Sequence, residues 1–376
     1  MLRAAAAVSG SSEVNPSQSV ASDTYGQSSK ALGPRGIRSQ FRPPVRNEST
    51  EGGEESKKVN DLNVDTATAT MLDDRLKNID SSLVKYVLNE VLVSQVSVDW
   101  ADICGLEYVK KTLKEIVVWP MLRPDIFSGL RAPSKGVLLF GPPGTGKTLI
   151  GKCLACQSKA TFLNITAASI VSKWMGEGEK MVRAIFAVAR VHQPCVVFVD
   201  EVDSLLSQRG QSDNDAQKRI VTEFLVQLDG VSATPDERVL VMGATNRPEE
   251  IDEAARRRFV KRLYVPLPDR EARLSIISRL LAETDHSLTP EEMQQIAEQT
   301  DGYSGADMTC LCKEAALGPI RCLAHLDFET LDSQQVRPIN RSDFQSALAH
   351  VRPTVCPLSL ASYQEWNKKF GSSSSF

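Results

Sequence analysis

The chain has 376 residues, 41% hydrophobic and 24% charged, which is globular composition with length for more than one domain and a tail. A formal net charge of −3 and a pI near 6.0 give no basic domain that would force nucleic-acid binding, so no direct sequence-specific nucleic-acid binding is expected, while a local basic pore or patch stays open. No apolar run reaches membrane-spanning length, so no membrane is expected among the partners.

Residues 1–72 are rich in Ser, Pro, Gly and mixed charge, and are expected to form a disordered tail. At 35–45 the tail reads RGIRSQFRPPV. There Phe41 supplies an apolar anchor, and Pro43 and Pro44 lower the ordering cost of binding, as in a docking peptide. On composition alone the competing reading is an inert linker. Residues 73–94 are expected to be a linker helix, with Ile79, Leu83, Val87 and Val91 at one-turn spacing and capping oxygens at Asp80, Ser81 and Ser82. Residues 95–268 read as one α/β domain. Its opening stretch, Asp102 to Leu106, precedes an amphipathic segment from Tyr108 to Trp119, closed by Pro120 and Pro124.

The apolar run Gly136–Phe140 then feeds GPPGTGKT, residues 141–148, and a helix-like run follows. Strand, glycine-rich loop and helix are the context in which G-x-x-x-x-G-K-[ST] binds phosphate. Loop N–H groups and the helix dipole face the anion, Lys147 reaches the β- and γ-phosphates, and Thr148 ligates Mg²⁺. The buried strand Val196–Val199 ends in Asp200 and Glu201. Asp200 is the candidate metal residue and Glu201 the candidate base for the attacking water. A further strand, Val239–Met242, leads to Asn246, which suits a contact with that water or the γ-phosphate but read alone is a turn asparagine. Arg256, Arg257 and Arg258 are too many for one pocket of their own subunit and suit a finger into a neighbour's site; read alone, they make a solvated basic turn.

Apolar strands alternating with helices imply a parallel sheet with helices on both faces. From Asp269 the strand pattern stops, and helices at about 269–282, 290–300, 304–323 and 341–351 form a small all-α lid domain, residues 269–358. Residues 359–376 are a C-terminal helix with Tyr363 and Trp366, expected to dock on its own domain, and a tail. The eight cysteines read as scattered, buried thiols of a reducing compartment; Cys310 and Cys312 lack a second half for zinc. The expected location is nucleus and cytoplasm. Trp174, flanked by Lys173 and Met175 in a glycine-rich stretch, suits a grip on polypeptide, though alone it reads as a packed Trp.

GPPGTGKT, VVFVDE, GATNRP and TDGYSGADM, in this order and spacing, resemble the AAA+ ATPases over about residues 95–376. SKWMGEGEK, DEAARRRF and the aromatic C-terminal helix resemble the subgroup holding katanin, spastin, fidgetin and the ESCRT-disassembling ATPases. The resemblance implies a homo-hexamer with ATP and Mg²⁺ bound between subunits. Asp102, Ile103, Cys104, Gly105, Gly141, Pro142, Pro143, Gly144, Thr145, Gly146, Lys147, Thr148 and Leu149 would hold the nucleotide. Gly305 and Ala306 would close over base and ribose. Glu201, Lys147, Asn246 and, from the next subunit, Arg257 and Arg258 would act in hydrolysis, with Thr148 and Asp200 on the metal. Lys173, Trp174 and Met175 would form a pore loop, and residues 209–215 would lie in a second. The resemblance thereby favours the functional readings of Asn246, Trp174 and the arginine run. RGIRSQFRPPV resembles a segment that binds the eukaryotic RecA-like recombinase, which implies filament disassembly in homologous recombination and DNA repair. Two alternatives stay open: microtubule severing through acidic tubulin tails, and an ATP-dependent binding scaffold. Cys104 departs from the alanine usual in the family, and the N-terminal region is short for a full-length member, as in a truncated or reduced version.

Overall fold

Alternation along the central strands sorts the core into two layers. In β2 (Gly136–Phe140), Leu138 and Phe140 face one helical layer while Val137 and Leu139 face the other. The same division runs through β4 (Cys195–Asp200) and β5 (Val239–Thr245), where Val197 and Val241 oppose Val196 and Met242. Both faces are covered, so these strands are apolar up to their carboxyl ends rather than alternating with polar residues.

The computed structural model describes residues 76–93, 97–172, 177–207, 215–233, 237–323 and 336–372. The chain divides into Met1–Glu55 and Ser56–Phe376, and all described residues lie in the second unit. The docking stretch with Phe41, Pro43 and Pro44, and the pore residues Lys173, Trp174 and Met175, lie outside the described residues, as do 208–214.

The sheet runs β1-β3-β4-β5-β2-β6, with β3 (Thr161–Thr166) and β6 (Lys261–Tyr264) completing the parallel set. The edge strand β1 (Leu92–Val93) is antiparallel, with Leu92 opposite Leu163. Its presence corrects the expected linker helix over 73–94. Helix α1 (Ser81–Tyr86), capped by the Asp80 carboxylate accepting from the Ser82 N–H at 2.9 Å, passes into a π-helical turn at Val87–Val91. The chain then extends to pair with β3. Leu83, Val84 and Val87 are buried in the same layer as α6 (Gly178–Val191), so this segment is part of the α/β domain's core.

Helix α2 (Glu107–Leu113) also passes through a π-helical turn, Lys114–Val118, into α3 (Trp119–Leu122). Pro120 therefore lies inside the helical run and does not close it. Proline lacks an N–H and crowds the carbonyl of the previous turn, and the wider π turn just before it relieves that conflict. Helices α4 (Lys147–Gln157), α5 (Ala167–Ser172), α7 (Asp203–Leu206), α8 (Asp215–Ala233) and α9 (Glu253–Arg258) complete the α/β part.

The lid helices are α10 (Arg270–Leu281), α11 (Pro290–Gln299), α12 (Gly305–Ala316), α13 (Gly318–Arg321) and α14 (Arg341–His350). They close around Ile277, Met308, Leu311 and Phe344. The single helix expected over 304–323 is two helices meeting at Leu317. Helix α15 (Pro357–Phe370) then returns to the sheet, burying Tyr363 and Trp366 in the α/β core. Beyond it, Ser372 donates its N–H to the Arg262 carbonyl of edge strand β6, and its hydroxyl accepts from the Arg262 N–H, both at 2.8 Å.

The cysteines also differ from expectation. Cys153, Cys195 and Cys312 are buried, but Cys310, Cys322 and Cys356 are exposed. Cys310 faces water because its neighbours Leu311 and Cys312 take the core side of α12. Cys153 and Cys156 make a Cys-x-x-Cys along α4, which the reading of scattered thiols passes over; both are free thiols.

Candidate functional site: a nucleotide cleft at the strand ends

Because β4, β5 and β2 are neighbours, their carboxyl ends bring Asp200, Asn246 and the phosphate loop to one edge of the sheet. Crevices outside such strand ends are where open α/β sheets bind ligands. The loop turns into α4 at Gly146, whose φ of 85° is left-handed, so the first N–H groups of an 11-residue helix point into the crevice.

Thr148 Oγ1 donates to Asp200 Oδ2 at 2.7 Å. The two residues assigned to the metal, 52 positions apart, thus already share a hydrogen bond. Two hard oxygen donors side by side at a phosphate loop fit Mg²⁺. Lys147 is 6% exposed and donates to the carbonyls of Gly141 (3.0 Å) and Pro142 (2.7 Å). Burial pulls its ammonium down to about 8, against the opposing pull of Asp200 and Asp203. Glu201 is exposed and sits at φ 50°, a left-handed conformation uncommon for a non-glycine residue. That turn takes the chain out of the strand line just after Asp200. Asn246 is half-buried, and its Oδ1 is buried without a protein partner.

A cleft of about 340 Å³ opens beside the loop. It is lined by Asp102, Ile103, Cys104, Gly144, Thr145, Gly146, Leu149, Gly305 and Ala306, all assigned from the sequence. Gly105 instead lines a neighbouring cavity against α10, while Gly141, Pro142, Pro143, Lys147 and Thr148 flank the cleft at the strand ends. The sequence reading missed Leu106, Pro266, Pro268, Ile276, Arg279, Leu280 and Thr309. Arg279 reaches from the lid to the Asp102 carboxylate and to the Ala101 carbonyl, 2.7 Å away. Of these, only Pro266 and Pro268, just after β6, carry a local signal, that of a strand end. On the lid side, Ser304 and Asp307 form a capping box that seats α12 with Gly305 and Ala306 over the loop.

The three arginines diverge. Arg258 makes a bidentate pair with Asp229 on α8, both contacts 2.7 Å. Arg257 is exposed and pairs with Glu253 at 2.6 Å. Arg256 lies 4.7 Å from the centre of the Phe370 ring.

Apolar walls for a base, a phosphate cradle and an acidic strand end define a P-loop nucleotide hydrolase with a helical lid. The family described as ATPase family associated with various cellular activities (AAA) matches residues 137–267. An AAA+ lid domain matches 291–332, and a Vps4 C terminal oligomerisation domain matches 326–371. The chain is 55% identical to Fidgetin-like protein 1 of Xenopus tropicalis over 95% of its own length and 55% of the relative's. It is 52% identical to rat spastin over 78% of its length and 48% of spastin's. It therefore spans about half the length of these curated relatives. A crystal structure of a FIGL-1 AAA domain in complex with ADP superposes with a TM-score of 0.74 at 55% identity, covering 79% of this chain and 99% of that one. The chain belongs to the AAA ATPase family.

Proposed function

We propose that the chain hydrolyses ATP and uses the cycle, as a homo-hexamer, to thread a protein through a central pore. The observation that carries the ATPase step is the 2.7 Å Thr148–Asp200 pair, with Glu201 the next residue in the chain. Bound Mg²⁺ would be held by Thr148 and Asp200 and would neutralise charge on the phosphates. Lys147 sits where it can leave the Gly141 and Pro142 carbonyls for phosphate oxygens. Glu201 takes the proton of the attacking water, and Asn246 orients that water. Exposed Arg257, on the outer face of α9, is free to swing from Glu253 to a neighbour's γ-phosphate; Arg258 would need release from Asp229 to join it. The match of residues 326–371 to an oligomerisation domain supports assembly. Phosphate release tests the step: Glu201→Gln should bind ATP and lose turnover by about 10²–10⁴-fold. A variant that turns over at the wild-type rate removes the base assignment.

For the substrate, the preferred reading is a eukaryotic RecA-like recombinase in filaments, with homologous recombination and DNA repair in the nucleus and cytoplasm as the setting. It is supported by the RGIRSQFRPPV stretch and by the similarity to Fidgetin-like protein 1. Phe41→Glu should abolish recombinase pull-down and leave ATPase intact. The 52% identity to spastin supports the second reading, microtubule severing. Tubulin binding that stimulates turnover, with no recombinase bound, would select it. An ATP-dependent scaffold would bind ATP without releasing phosphate.

A further inference from the structure

Helix α15 touches the nucleotide edge of the sheet at two points and reaches helix α9 at a third. The Tyr363 phenol donates a 2.6 Å hydrogen bond to the main-chain carbonyl of Asn246. Trp366 packs edge-on against Phe140, ring centroids 4.4 Å apart, and Phe140 immediately precedes Gly141 of the phosphate loop. Phe370 lies beneath Arg256, the neighbour of Arg257.

Asn246 leaves β5 at a point held from two sides. Before it, the Thr245 hydroxyl donates to Asp203 Oδ1 at 2.6 Å and accepts the Arg247 N–H at 2.8 Å. Behind it, the Tyr363 bond fixes the plane of the peptide that follows Asn246. A fixed peptide plane restrains the Asn246 ψ, and so the direction in which its side chain leaves the backbone. That side chain carries the buried, unpartnered Oδ1. Burial raises the Tyr363 hydroxyl above its ordinary value, so it stays a donor at neutral pH. The Tyr363 ring is itself stacked 6.4 Å from that of Tyr264.

We infer that Tyr363 is a positioning residue for hydrolysis: from the C-terminal helix, its hydrogen bond to the Asn246 carbonyl aims the Asn246 side chain at the reacting end of the nucleotide. The inference rests on the ATPase reading above. A misplacement of about 1 Å in such a group can cost about 10²-fold, so one distant bond can be worth a measurable part of kcat.

The test is a double-mutant cycle on the full chain. Tyr363→Phe deletes one oxygen and keeps the ring against Tyr264. It should lower kcat about tenfold while the KM for ATP and the affinity for ADP stay within about twofold. In an Asn246→Ala background the same change should have no further effect, because residues acting as one unit are non-additive. Trp366→Phe is the packing control: it loosens the same helix but keeps the phenol, so Tm falls and kcat holds. Assays run below each variant's melting temperature. If Tyr363→Phe fails to fold, 3,5-difluorotyrosine at position 363 retains the hydroxyl with altered donor strength, and kcat should shift. An unchanged kcat in folded Tyr363→Phe, an unchanged kcat with the difluoro residue, additivity in the cycle, or an equal kcat loss in Trp366→Phe would each overturn the inference. Failure of the ATPase reading looks different: the wild type itself would release no more phosphate than Glu201→Gln.

Discussion

The N–H of Ala306 donates to the carbonyl of Gly144 at 3.1 Å, so the lid and the phosphate loop share a main-chain hydrogen bond. Gly144 has φ +75°, and a Cβ placed there would stand 2.6 Å from Ser304 Oγ and 2.9 Å from the Ala306 Cβ. Gly144→Ala is therefore strained twice, by backbone and by contact, at about 1–3 kcal/mol for the backbone alone. The lid should be pushed off the loop. Calorimetric titration with ADP should show affinity lowered by about tenfold or more, and an unchanged affinity would mean that this contact does not shape the cleft.

Arg279 closes the cleft from the opposite side, joining lid helix α10 to Asp102 and the Ala101 carbonyl. The guanidinium is half-exposed, so the pair adds little to stability, but it sets the lid over the pocket wall. Arg279→Ala should raise the KM for ATP several-fold with Tm nearly unchanged. A steady-state titration alongside a melt separates the two effects.

Lys147 should make nucleotide binding depend on pH. Its folded value, about 8, lies below the ordinary 10.5 because burial disfavours the ammonium. Between these values the unfolded chain binds more protons, so stability should rise with pH from about 8 to about 10.5. Below about 8 the full cost of the buried charge is present. Binding has the opposite sign. A phosphate needs the charged form, so ATP affinity should fall once pH exceeds about 8. Titrations at pH 7, 8 and 9 should show this loss in the wild type and a flat profile in Lys147→Met.

Trp366 fills space between Phe140 and Phe370, and is 7% exposed. Trp366→Ala should cost about 3–5 kcal/mol, as large-to-small changes in a core do. Chemical denaturation should show that loss. Partial proteolysis should cut first within 357–372, because α15 is then the least held element.

Most of the catalytic edge was legible because it is local. A phosphate loop needs glycines, Lys147 and Thr148 at fixed offsets, and a strand end needs only Asp200 and Glu201 after an apolar run. The helical lid was legible for a related reason: its periodic segments carry their own caps, Thr289, Ser304 and Asn340. The extension of the expected helix through Val93 failed because Leu92 and Val93 continue an apolar pattern that helix and strand can both use. Pairing with Leu163 and Phe162, far along the chain, decided between them.

What the sequence by itself determined is therefore the local framework: the phosphate loop, the two acids at a strand end and the helical lid. Each is a property of a few consecutive residues and of the backbone they favour. What only the tertiary structure decided is the closure of the site. Arg279 meets Asp102 across 177 positions, and Tyr363 meets Asn246 across 117. Nothing in the local pattern of either residue names its partner, because such contacts arise only when the sheet, the lid and the returning helix pack together.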